Sequence, residues 1–143
     1  MTKQIDINRG ILASDTCFVK PGITFDETVK YSKEKMDARK LVCGYHISFE
    51  KPQWITSIFF IKNIFFKKDG TISWFLLKPV FENVADEDKF GYCKRWLNDS
   101  IERRPDKTEE NEIIYRFGWG WVSCEVKVED GVCCDPEIKF VYT

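Results

Sequence analysis

Histidine is almost missing from this chain: His46 is the single one among 143 residues. That scarcity excludes His-rich metal sites and the H-E-x-x-H zinc helix, which need at least two imidazoles. Other common enzyme signatures are absent too. There is no G-x-x-x-x-G-K-[ST] phosphate loop, no G-x-G-x-x-G turn after a strand and no G-x-S-x-G elbow. Carboxylate pairs occur, but no spacing among them specifies general acid–base work. The sequence therefore assigns no catalytic residue, no metal ligand and no cofactor.

Long apolar runs are lacking as well. The most apolar stretch, Trp54 to Phe66, is too short to cross a bilayer and carries Lys62 and Asn63 within it. Residues 1–10 are polar and mixed in charge, with no export signal. A cytoplasmic protein that does not enter membranes is expected. Its six cysteines then read as reduced thiols acting as small hydrophobes rather than as a disulfide framework.

What is present is aromatic. Phe numbers 12 and Trp 5, and aromatic residues make up 15% of the chain. Flat rings suit pleated surfaces, so strands are favoured. With 43% hydrophobic and 31% charged residues, the chain should fold as one domain over residues 1–143, with a core that needs no staples.

Periodicity gives an α+β fold, a mainly antiparallel sheet in the order β-α-β-β-β-α-β-β with helices packed on it. Ile5 and Ile7 suggest a short first strand. Thr24 and Glu27 have capping-box spacing, which starts a helix predicted over 25–36. Leu41, Cys43, Tyr45, Ile47 and Phe49 alternate as a half-buried strand. Trp54–Phe66 and Thr71–Leu77 are apolar on both phases, which predicts strands covered on both faces. In the first of these, Ile58, Phe60, Ile64 and Phe66 would share one face and Ile55, Phe59, Ile61 and Phe65 the other. Lys67-Lys68-Asp69-Gly70 between them reads as a hairpin turn. Asp86 looks like the N-cap of an amphipathic helix reaching about Arg103, with Phe90, Cys93, Trp96, Leu97 and Ile101 on one side. Ile113, Tyr115, Phe117, Trp119 and Trp121 alternate, then the apolar phase passes to Val122, Cys124 and Val126. A bulge or bend is therefore expected near Gly118–Gly120. A last strand carries Ile138, Phe140 and Tyr142 on one face.

Thiol chemistry has two candidate placements. Cys43 and His46 lie three apart, so on one strand they would point to opposite faces and form no dyad. Cys124, Cys133 and Cys134 could converge with His46 on a zinc ion, but the commoner arrangement is a packed or turn-exposed thiol pair. The Phe117–Trp121 segment could offer an aromatic platform; with no basic stripe beside it, nucleic-acid binding is not expected.

Charge is uneven. Net charge is −1, yet residues 1–80 hold 13 basic and 8 acidic residues, and residues 81–143 hold 9 and 15. Two acidic clusters stand out, Asp86-Glu87-Asp88 and Glu109-Glu110-Asn111-Glu112. Small size, aromatic strands, acidic patches and missing catalytic motifs together resemble bacterial toxin-immunity proteins. The resemblance implies a non-catalytic protein that binds another protein, a toxin domain with a basic surface. Asp86, Glu87, Asp88, Glu109, Glu110 and Glu112 would then steer docking, with Trp119 or Trp121 as an aromatic anchor. The alternatives are a ligand-binding or oligomeric module with an aromatic pocket, including a homodimer, and an enzyme that uses a cysteine.

Overall fold

The computed structural model describes residues 4–133 and 135–143. It is an α+β fold, mostly antiparallel sheet with two α-helices. Three short strands, β1 (Gln4–Asp6), β2 (Ile11–Ala13) and β3 (Phe18–Val19), form a small sheet. Helix α1 (Phe25–Tyr31) follows, then β4 (Met36–Leu41), β5 (Gly44–Trp54), β6 (Phe59–Phe66) and β7 (Ile72–Pro79). Helix α2 (Asp86–Ile101) precedes β8 (Lys107–Thr108), β9 (Glu112–Phe117) and β10 (Gly120–Glu125). A small hairpin, β11 (Val128–Glu129) and β12 (Val132–Cys133), leads to β13 (Glu137–Tyr142). The main sheet has eight antiparallel strands in the order β4-β5-β6-β7-β13-β10-β9-β8.

Local chemistry explains most boundaries. Thr24 and Glu27 form a reciprocal capping box at α1, the hydroxyl accepting from Glu27 N and the carboxylate from Thr24 N. The helix stops at Tyr31, earlier than residue 36. The next residues, Ser-Lys-Glu-Lys, offer no apolar side chain to bury, while Met36–Leu41 gain a complete ladder against β5. Leu41 and Gly44 face each other across a turn at Val42–Cys43, so Cys43 is exposed at a hairpin tip, not inside a strand. The 67–70 turn forms as its sequence suggests, with Gly70 N donating to Lys67 O and Asp69 accepting from Thr71 N. Helix α2 is capped at Ala85 without a side-chain bond, so Asp86 is its first helical residue rather than its N-cap. Its three opening carboxylates suit the positive end of the helix.

The two faces of the main sheet differ sharply. One is buried: Ile47 and Phe49 of β5, Phe59, Ile61, Ile64 and Phe66 of β6, Phe75 and Leu77 of β7, Ile138, Phe140 and Tyr142 of β13, Val122 and Cys124 of β10, Ile113 and Tyr115 of β9. Phe75 stacks on Phe140 at 4.9 Å. Against this core lie Trp96 of α2, 4.6 Å from the Phe59 ring, and Phe25 of α1, 4.9 Å from the Tyr45 ring. Leu12, Val19 and Ile23 from the N-terminal quarter join the same buried cluster.

The other face holds no buried side chain in β6, β7, β9, β10 or β13. This corrects the two-sided burial expected of Trp54–Leu77. Register shifts between Ile61 and Ile64, and between Phe65 and Phe66, insert extra residues into the β6–β7 pairing. The first puts the extra residue in β6 and moves its inward phase by one; the second puts it in β7, between Ile72 and Trp74. Phe59, Ile61, Ile64 and Phe66 therefore all face inward, and Phe60 and Phe65 point the other way. The sequence looks apolar on both phases because it contains bulges, not because both faces are covered.

Candidate functional site

Cross-strand register builds one continuous row over the open face. Arg39 faces His46, His46 faces Phe65, Phe65 faces Trp74, Trp74 faces Val141, Val141 faces Trp121 and Trp121 faces Arg116. The rings of His46, Phe65 and Trp74 are near parallel, with centroids 4.5 and 4.3 Å apart and interplanar angles of 11°. Lys139 Nζ caps the stack, 4.6 Å from the Trp74 ring. His46 Nε2 lies 2.9 Å from Asn63 Oδ1 and donates to it. Phe65 thus has both ring faces occupied and Trp74 is covered by Phe65 and Lys139, so the three rings form a stacked ridge on the open face. Clefts flank the ridge. One of about 210 Å³ is lined by Lys62, Asn63, Phe65, Trp74, Leu76 and Lys78. The other, of about 370 Å³, lies between Trp74 and the β10 and β13 residues Glu125, Glu137 and Lys139.

The two acidic clusters, distant in sequence, are linked to the same end of the sheet, one through Lys89 and Asp135 and the other through the Glu137–Glu125–Glu112 row. Lys89 Nζ bridges Asp86 (2.9 Å) and Asp135 (3.0 Å), and these two carboxylates hold its pKa above the usual lysine value. Asp135 leads directly into Glu137, which pairs with Glu125, which pairs with Glu112. Glu109 N donates to Glu112 O across the β8–β9 turn. Partial burial and the hydrogen bond with Glu125 push the Glu112 carboxyl up from its ordinary value. Lys107 reaches Glu109 at 3.2 Å and Glu112 at 3.9 Å. Beside Glu87 and Asp88 runs a surface groove of about 500 Å³, walled by Tyr92, Arg95 and Asn83. Asp86, Glu87, Asp88, Glu109 and Glu110 are exposed.

The two tryptophans part company. Gly118 and Trp119 are the turn of a tight β9–β10 hairpin in which Phe117 faces Gly120. The phase reversal is thus a chain reversal, not a bulge within one strand. Trp119 stacks on Phe117 at 5.1 Å, and its Nε1–H donates to Asn8 O at 3.0 Å, so it ties the N-terminal segment to the hairpin. Trp121 stands on the open face, 37% exposed.

Thiols show no catalytic arrangement among the described residues. Cys93 and Cys124 are buried against each other, and their contact and burial push the Cys124 thiol up. Cys17, fully buried, is pushed up to about 12. Cys124 faces the core and His46 the open side, so the two do not share a metal site; the Cys133 side chain and Cys134 lie outside the described residues. Among the described residues no group of three or more His, Cys, Asp or Glu is placed to hold a metal ion. No described helix is long and apolar enough to cross a membrane. No family model, curated protein or solved structure matches this chain.

Proposed function

We propose that this is a non-catalytic binding protein that engages a basic protein surface, in the manner of an immunity protein that neutralises a toxin domain. In this reading the helices rest on the buried sheet face, and the acidic end of the sheet is the docking surface. The observation that carries it is that Asp86–Asp88 with Asp135, and Glu109–Glu112 with Glu125 and Glu137, lie toward one end of the sheet. Such a field steers a cationic partner and fixes its orientation. Trp119 is committed to Phe117 and Asn8, which makes it a structural residue rather than an anchor.

The test is capture from source-cell extract with the wild type and with two charge-reversed proteins, Glu87→Lys/Asp88→Lys and Glu109→Lys/Glu110→Lys. A basic protein held by the wild type, released by salt and lost by both variants is expected; its affinity is then measured with purified components. A basic partner retained equally by all three proteins would remove the electrostatic assignment.

A further inference from the structure

The two edges of the main sheet are finished differently. At one edge β8 has only two residues, and beyond it β9 is closed by side chains: Arg116 N–H donates to the Asp106 carboxylate, and Arg103 donates to Arg116 O. At the other edge β4 runs for six residues, Met36–Leu41, and Asp37, Ala38, Arg39 and Lys40 are exposed. Lys35 O accepts from Glu50 N across the β4–β5 pair. Backbone groups alternate in direction along a strand, so Asp37, Arg39 and Leu41 also turn theirs toward β5, while Met36, Ala38 and Lys40 turn theirs outward. Among the described residues, no loop, helix or side chain bonds to those outward groups. A bare edge of this kind is a template for another strand.

We propose that this edge pairs with the β4 edge of a second copy, antiparallel about a two-fold axis that passes through Ala38 perpendicular to the sheet. Register is what selects this occupant. Outward groups must face outward groups, so Met36 faces Lys40 of the second copy, Ala38 faces the second Ala38, and Lys40 faces the second Met36. Those three pairs exchange about six N–H···O bonds. Between them Asp37 faces Arg39 of the second copy, and Arg39 faces its Asp37, at the closer, non-bonded positions of the ladder. Within one chain Asp37 and Arg39 already form an ion pair; in the dimer the four charges alternate in sign across the axis. Moving the axis by one residue destroys this. An axis at Asp37 sets two carboxylates face to face, and an axis at Arg39 sets two guanidiniums face to face. Charged side chains on an edge ordinarily prevent pairing. Here they oppose the neighbouring registers and favour the isologous one, in which residue i meets j and j meets i. Ala38 also suits the axis, where two identical side chains must meet. Helix α1 leaves the edge clear: its Phe25 packs on Tyr45 of β5, and Ala38 and Lys40 on the same side of the sheet stay exposed.

Sedimentation equilibrium from about 5 to about 200 µM tests the pairing, because a contact this short belongs with the weak class of interfaces. The wild type should pass from monomer to dimer over that range. Asp37→Arg and Arg39→Asp should each self-associate about tenfold more weakly, since each sets like charges opposite one another at two symmetry-related pairs. Their equimolar mixture should recover the wild-type dimer, because each supplies the charge that the other lacks. Neither variant retains the ion pair within its own chain, so recovery belongs to the contact between copies, and it also shows that both are folded. Ala38→Pro should be folded and monomeric, since the N–H it removes points away from β5. In the wild type, amide exchange at Met36, Ala38 and Lys40 should slow as concentration rises. A wild type that stays monomeric, charge variants that dimerise as well as it does, or a mixture without recovery would overturn the proposal. So would a dimer in which those three amides exchange as fast as in the monomer.

Discussion

The two glycines of Phe117-Gly118-Trp119-Gly120-Trp121 should respond oppositely to the same substitution. Gly120 has φ 151°, and a Cβ there would sit 1.9 Å from Val141 O and 2.9 Å from Val141 C. Neither atom can swing away, because both belong to the β13 backbone paired with β10. Gly120→Ala must therefore strain its own backbone, at about 1–3 kcal/mol, and displace at least one ladder hydrogen bond, at about 1 kcal/mol. A total loss of roughly 3 kcal/mol is expected. With a urea slope of about 2 kcal/mol per molar, the unfolding midpoint should fall by about 1.5 M. Gly118 has no atom within 4 Å of an added Cβ and no positive φ. Gly118→Ala should leave the midpoint unchanged or raise it slightly, by up to about 1 kcal/mol through the unfolded chain. Equilibrium urea unfolding followed by tryptophan fluorescence measures both. Equal losses in the two variants, or a Gly120→Ala midpoint within about 0.5 M of wild type, would refute the hairpin geometry as the reason these glycines differ.

Three further outcomes are expected. Tyr142→Phe removes the hydroxyl that donates to Gly10 O at 2.9 Å in a buried site, and should cost about 1–2 kcal/mol in the same urea assay. Thiol labelling of the native protein should be fast at exposed Cys43 and slow at buried Cys17, Cys93 and Cys124, as mass spectrometry of timed aliquots would report; rapid native-state labelling of Cys17, whose pKa is pushed up to about 12, would contradict its burial. The raised pKa of Glu112 means that the folded state holds this proton more tightly than the unfolded chain. Its contribution is fully present below the unfolded value, near 4.5, and is lost as pH rises through the higher folded value. Glu112→Gln should therefore flatten that part of the stability-versus-pH curve, and a curve identical to the wild type's would remove Glu112, raised by its partial burial and by Glu125, as the source.

Local signals were legible wherever a few neighbouring residues decide the geometry. Thr24 and Glu27 announce the start of α1, Asp69-Gly70 the β6–β7 turn, and Ile138, Phe140 and Tyr142 the inward face of β13. Legibility failed where competition at a distance settles the outcome. The sequence pattern carries a helix on to Met36 and starts a strand at Leu41. Met36–Leu41 instead pair with β5, up to 13 residues away, a partner that periodicity cannot register. The inward phase of β6 was misread for a similar reason, since a bulge exists only in the pairing of two strands.

The candidate site divides in the same way. Both acidic clusters and the aromatic richness stand in the sequence, because charge and ring content are properties of residues. Their placement does not. Asp86 and Glu112 reach the same end of the sheet only because β13 inserts between β7 and β10 and carries Asp135 to Lys89. Composition and short-range pattern determined an aromatic, antiparallel α+β protein with its charge unevenly spread. The tertiary structure alone decided that the rings left over from the core line up across one open face, because register between strands, not order along the chain, chooses which side chains become neighbours.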